Sequence, residues 1–376
     1  MPDTTSRLTL SRRTALKGIG AGSAALAASS FPMPAIGQSL RPVTLVYGVQ
    51  TVDVSTGFFS SIPMHFGFYE EEGLEVEIQS VSGSSAALNV LAADQAQVSS
   101  HGSAGMFAGV GRGVDMQSFI CQIPDYFVSV GVAADSPFQS FEDLRGQTIG
   151  ISAEGGSPHL VMSAIFSNLG WVEGEDFEYL AVGTALPALD ALQRDRVQAL
   201  ALWDTIFAGF EFQGQEFRHF RPDPIPSLGF THSSNAMRST IENEPEMIAG
   251  LTRAMNKAIV VMAAAEQDEL TKLHYQVFPE SEPTGMSEEE SLRMSRLRME
   301  ARKPNMRLEQ RVFEQTERLG DITDSQIAGH RDLLASGGSI PEALPVDRYF
   351  TREFLDYGND FDIDALIEQA RDFRAE

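Results

Sequence analysis

The sequence holds one cysteine, Cys121, in 376 residues. No intramolecular disulfide can form, and a multi-cysteine metal site is excluded. Basic residues are also scarce, with 28 Lys and Arg against 52 Asp and Glu and a formal net charge of -24. Nucleic acid and anionic membrane surfaces both demand a basic face, so neither is expected as a partner. No stretch reads as the run of about 20 apolar residues that a bilayer span requires. The seven histidines form no HExxH or other close metal pair, and no GxSxG marks a nucleophile elbow. These absences point away from an enzyme, so no catalytic residue, metal or cofactor is expected. The acidic excess itself reads as a well-solvated surface.

What is present is a globular composition, 43% hydrophobic, on a chain too long for one compact core. Two lobes are the natural solution. The first residues read as an address. Ser11-Arg12-Arg13-Thr14-Ala15-Leu16-Lys17 precedes a weakly apolar stretch rich in Ala, Gly and Ser, and the small-residue step Ala35-Ile36-Gly37 follows. This is the grammar of a cleavable signal peptide over residues 1–37, with paired arginines of the twin-arginine type. The usual aromatic after the arginines is missing. The expected destination is the periplasm.

From residue 43 the chain alternates strand and helix. Strands are expected at 43–49, 74–80 and 97–100, with helices at 58–71, 86–93 and after 102. The pattern restarts near Asp125: strands at 127–133, 148–152, 177–182 and 199–203, helices at 159–169 and 186–194. A return strand at 230–237 leads into mostly helical chain. Such alternation implies parallel strands with crossover helices. The expected division is lobe I from residues 43–124 and 231–376, including a C-terminal helical extension, and lobe II from residues 125–230. Two connections between lobes make a hinge. The segment 286–303, dense in charge, reads as a solvated face.

Four phrases carry a resemblance. They are Gly67-Phe68-Tyr69-Glu70-Glu71-Glu72-Gly73-Leu74-Glu75-Val76-Glu77 followed by Ser82-Gly83-Ser84 and Ala86-Ala87-Leu88; Asp143-Leu144-Arg145-Gly146-Gln147-Thr148-Ile149-Gly150; Gly155-Gly156-Ser157-Pro158-His159; and Ala199-Leu200-Ala201-Leu202-Trp203-Asp204. Over roughly residues 43–265 the chain resembles the periplasmic solute-binding proteins of nitrate, sulfonate, taurine and thiamine-precursor importers, the SsuA/THI5-like group with an NMT1-type domain. That resemblance implies an α/β type II periplasmic-binding-protein fold: two α/β lobes, a two-strand hinge and C-terminal helices. It implies a small-molecule ligand in the cleft, and ABC permease and ATPase subunits as partners. A monomer is expected. Fungal relatives make a pyrimidine and carry a cysteine-rich segment that is absent here. A pyrimidine-synthase-like enzyme and a ligand-sensing module therefore stand as alternatives to an importer component.

Ligands of open α/β sheets bind beyond the carboxyl ends of strands, near helix N-termini. That rule selects Gln50 and Asp53 after the first strand, Ser82, Gly83 and Ser84 after the second, and Gly102 and Ser103 after the third. From lobe II it selects Glu154, Gly156, Ser157 and His159, then Trp203 and Asp204. Ser84 and Ser157 would serve equally as plain helix caps, Trp203 as core, His159 as a surface residue and Asp53 as a turn residue. None of these loops contains Arg or Lys, and Asp53, Glu154 and Asp204 are acidic. On that basis a neutral or cationic nitrogenous ring, such as a thiamine pyrimidine precursor stacked on Trp203 or Tyr126, is favoured over a sulfonate- or nitrate-type anion.

Overall fold

The computed structural model describes residues 39–375. The expected signal segment and its cleavage point lie outside the described residues. Ten strands form two five-stranded sheets. The first has the order β2-β1-β3-β10-β4, the second β7-β6-β8-β5-β9. β1 (Arg41–Tyr47), β2 (Leu74–Ser80) and β3 (Val98–Gly102) run parallel, while β10 (Gly229–Met237) lies antiparallel between β3 and β4 (Met116–Asp125). The second sheet repeats the plan. β6 (Thr148–Ile151), β7 (Glu178–Ala181) and β8 (Ala199–Trp203) are parallel, and β5 (Val128–Ala133) lies antiparallel between β8 and β9 (Phe217–Phe220). The chain crosses between sheets twice, from β4 into β5 and from β9 back to β10.

Local signals explain the elements. β1 alternates little and reads as a buried run because neighbours cover it on both sides; Val43, Leu45 and Val46 are buried. The helix expected at 58–71 is broken into Ser61–His65 and Phe68–Glu71 by Gly67, whose φ of 70° only glycine adopts without strain. β9 was not expected. It is a four-residue edge strand carrying Arg218 and His219, too short and polar to show a period.

The helix Pro245–Ala264 is the backbone of the first core. By length and composition it is apolar enough to cross a membrane, which corrects the expectation that no stretch would be. Its apolar residues are instead spent inside the protein: Leu251, Ala254, Met255, Ala258 and Ile259 are fully buried with Phe59, Ile120 and Leu45.

The C-terminal segment touches both sheets' surroundings. The helix Glu288–Arg302 packs along the helix Asp204–Phe212 of the second lobe. Arg307 grips Asp125, at the first crossing, through hydrogen bonds of 2.6–2.9 Å. Arg311, almost fully buried, donates to the carbonyls of Cys121, Gln122 and Asp321. Farther on, the helix Asp324–Ser336 lies against both β10 and the helix Ser157–Asn168.

Candidate ligand-binding cleft

A cavity of about 200 Å³ opens where the parallel strands of both sheets end. Tyr47 ends β1 and Gly48 and Gln50 follow it; Ser82, Gly83 and Ser84 follow β2; His101 and Gly102 end β3. From the second lobe come Ser152, Ala153, Gly156 and Ser157 after β6, Gly183 and Thr184 after β7, and Trp203 at the end of β8. Each such end leaves backbone N–H groups free at the start of the next helix. Of the expected residues, Gln50, Asp53, Ser82, Gly83, Ser84, Gly102, Gly156, Ser157 and Trp203 line the cavity.

Four others do not reach its wall. Ser103 is buried beneath it, with its hydroxyl donating to Ser233 Oγ at 3.1 Å. Glu154 points to solvent. The His159 ring accepts from the Gly155 N–H at 2.9 Å and packs edge-on to Tyr179, which fixes it beside the loop. Asp204 turns away to Arg302 and Asn305, at 2.6 and 2.9 Å. Tyr126 is also not a wall residue. It is buried edge-on to His330, and its neighbour Phe127 faces the cavity instead.

The lobes meet directly around the cavity. Ser85 Oγ donates to Gly155 O at 3.0 Å. Gly102 sits so close to the other lobe that a Cβ there would lie 2.3 Å from Ser157 Cβ. Gly83, with φ 89°, approaches Ala153 and Gly156.

Two histidines in the wall are neutral acceptors or donors rather than charges. His101 has Nδ1 3.0 Å from Gly102 O, and a carbonyl can only accept, so Nδ1 carries the proton. Its Nε2 accepts from Ser99 and Asn235, and burial pushes its pKa down to about 4. His232 faces Gln122 Oε1 through Nδ1 at 3.4 Å, which leaves Nε2 as an acceptor. Burial, with Arg302 nearby, holds its pKa well below the usual histidine value. Aromatic faces from Tyr47, Phe58, Phe127 and Trp203 complete the wall.

The expectation of a cation-free cleft is corrected by Arg298 and Arg302, which both line the cavity. They come from the helix read as a solvated face. Its first turns carry Glu288, Glu289 and Glu290, but Ser291, Met294, Ser295 and Arg302 are buried on one side. Positions 291, 294, 295, 298 and 302 share that side at spacings of three and four. Arg302 is 5% exposed, paired with Asp204, and its guanidinium lies 3.9 Å over the Phe127 ring. Burial raises the Asp204 carboxyl's pKa even with Arg302 beside it. Asp53 is engaged by its own loop, since one oxygen accepts from the Ser55 N–H and hydroxyl at 2.9 and 2.5 Å.

No curated protein sequence matches this chain. Among solved structures, a protein of Bordetella bronchiseptica RB50 is similar at 20% identity, covering 85% of this chain and 97% of that one with a TM-score of 0.66. The periplasmic aliphatic sulphonate binding protein SsuA of Escherichia coli is similar at 16% identity, covering 82% and 91%, with a TM-score of 0.60. The periplasmic nitrate-binding protein NrtA of Synechocystis PCC 6803 is similar at 12% identity, covering 89% and 92%, with a TM-score of 0.60. The fold is therefore that of the periplasmic binding proteins, as the sequence phrases implied. Residues 64–269 match the family described as NMT1/THI5 like, and this chain belongs to that family.

Proposed function

We propose that this protein is the substrate-binding component of an ABC importer. It takes a small molecule between its lobes and presents the closed form to a membrane permease served by an ATPase. The observation that carries this reading is the cavity walled by strand ends of both lobes, which a ligand can fill only by touching both. Ligand contacts made only in the closed form stabilise that form by their differential affinity. The wall offers recognition chemistry: hydroxyls, helix N-termini, aromatic faces and two neutral histidines. The sulphonate-binding and nitrate-binding roles of SsuA and NrtA support an importer over a sensor.

A small nitrogenous or aromatic compound, such as a thiamine pyrimidine precursor, is supported by the ring faces of Trp203 and Phe58 and by acceptors on Asp53 and His232. A sulfonate- or nitrate-type anion is the second reading, favoured by Arg298. Calorimetric titration of the purified protein with an aminopyrimidine, taurine, benzenesulfonate and nitrate distinguishes them. Heat from the anions alone removes the first reading, heat from the pyrimidine alone the second, and silence from all four removes the ligand classes argued here.

In this reading residues 1–37 direct export to the periplasm by the twin-arginine route and are then removed. Replacing both Arg12 and Arg13 by Lys should leave the precursor inside the cell; undiminished export would refute the route.

A further inference from the structure

We propose that Ser85, Gly155 and His159 form an acid-released latch across the lip of the cleft: protonation of His159 frees the Gly155 loop, breaks its contact with the opposite lobe and lets the lobes part. The proposal rests on the reading of the cavity as a cleft that closes on its ligand, and it adds a control over that closure.

The three residues make one chain of hydrogen bonds. Ser85, on the helix Ser84–Ala92 of the first lobe, donates its hydroxyl to Gly155 O at 3.0 Å. Gly155, in the loop after β6, donates its own N–H to His159 Nδ1 at 2.9 Å. Its φ of 66° suits glycine alone, and a Cβ there would meet Ser85 Oγ at 2.4 Å, so only bare backbone can approach the other lobe this closely. The two peptide units that flank Gly155 are joined only through its φ and ψ. Holding the N–H of one on His159 therefore aims the carbonyl of the other at Ser85.

A backbone N–H can only donate, so Nδ1 of His159 is unprotonated and the neutral ring carries its proton on Nε2. A second proton must go to Nδ1, where it faces the Gly155 N–H instead of an acceptor. The ring cannot turn away freely, because it stands edge-on to Tyr179 with centroids 4.7 Å apart. The loop is the part that yields. His159 is half-buried, within reach of solvent protons. Burial keeps its pKa below the ordinary histidine value, against Glu173 and Glu154, which both favour the charged ring. Tyr179, on β7, is held neutral by burial, and its hydroxyl accepts from Ser163 at 3.4 Å. The helices Ser84–Ala92, across the lip, and Ser103–Gly111 contain no titratable side chain. The helix Asp324–Ser336, packed on His159's own helix, has Asp324 paired with Arg352, Asp332 with Arg331, and His330 buried beside Tyr126. The latch is therefore fastened at neutral pH and above, and it releases as pH falls below the ordinary histidine range.

The test puts spin labels on Asn89→Cys and Leu186→Cys, exposed positions on opposite lobes; Cys121 is fully buried and stays unlabelled. Double electron–electron resonance reads the separation at pH 8 and pH 5 in the full chain, in His159→Asn and in Ser85→Ala. Asparagine puts its side-chain oxygen where Nδ1 stands and does not titrate, so H159N keeps the latch without its trigger. Circular dichroism reports that each protein is folded at both pH values. In wild type the ratio of parted to closed lobes should rise roughly 3- to 10-fold between pH 8 and pH 5, the range of one hydrogen bond. H159N, which retains the wall histidines His101 and His232, should change by less than about twofold. S85A should be parted already at pH 8. An equal acid response in wild type and H159N, no response in wild type, or S85A as closed as wild type at pH 8 each overturns the latch. Heat at pH 8 from an aminopyrimidine, taurine, benzenesulfonate or nitrate keeps the cleft reading whichever way the distances fall. One unchanging separation in every sample, with no heat from any of the four, removes both.

Discussion

His330 gives a prediction whose size follows from the structure. The residue is fully buried in the helix Asp324–Ser336. Its Nδ1 lies 3.1 Å from Gly229 O and 3.2 Å from Phe230 O, so that nitrogen holds the proton. Its Nε2 is buried with no partner, in a pocket shaped by the Phe107 and Tyr126 rings. Acid must therefore place a second proton on Nε2, where no acceptor waits. Burial accordingly pushes the pKa from 6.5 down to about 4. In the unfolded chain the ring titrates at its ordinary value. Between pH 6.5 and 4 the unfolded state binds more protons than the native state. The stability from this group is complete above pH 6.5 and is lost as pH falls through that window. The separation amounts to about 3 kcal/mol in full, of which about 2 kcal/mol is gone by pH 5. His330→Asn keeps an N–H donor near the carbonyls and does not titrate. Urea unfolding at pH 8 and pH 5 should show wild type losing about 2 kcal/mol more than the variant. The many carboxylates titrate alike in both proteins and drop out of the difference. Equal losses would refute the reasoning.

Gly102→Ala should destabilise by about 1–3 kcal/mol, because its Cβ would meet Ser157 Cβ at 2.3 Å while its φ of -60° suits alanine. Adding Ser157→Gly should recover most of that loss in Tm, whereas additive effects would show that the two lobes do not meet there. Asp204→Asn leaves Arg302 buried without its counter-charge and should cost about 3–5 kcal/mol in denaturant unfolding, with Arg302→Met in the same chain restoring part of it. Cys121 is fully buried and burial pushes its thiol up to about 12, so a thiol reagent at pH 8 should react only as fast as the protein unfolds. Rapid labelling of the native protein would contradict that placement.

The strand-end loops were legible because their chemistry is local. Ser82-Gly83-Ser84 and Gly156-Ser157 sit where a parallel strand gives way to a helix, and sequence order alone places them at the cleft. Asp204 shows where locality fails. It occupies such a position, yet a residue 98 places later claims it. Tyr126 and Phe127 show a parity failure. Successive residues of extended chain face opposite ways, so an error of one exchanges a buried ring for a cavity wall. Arg298 and Arg302 were hidden by composition. Their helix is rich in charge, and only the three- and four-residue spacing of Ser291, Met294 and Ser295 with the two arginines marks its inner side.

The late position of that helix has a consequence for biosynthesis. Every strand of both sheets has been made once Met237 is complete, and the lobes can begin to fold as N-terminal units. The positive wall arrives only with Arg298 and Arg302, and the clamp on Asp125 only with Arg307. At ~5–20 residues per second that leaves an interval of roughly 3 to 13 s in which Asp204 has no guanidinium to meet. A nascent chain in that interval has all its strand segments but lacks the core residues Met306, Val312, Leu333 and Leu334. A chain cut short before residue 298 lacks the core residues Met306, Val312, Leu333, Leu334 and Tyr349 and should not hold a stable fold, so the last quarter of the sequence completes both cores as well as the cleft wall.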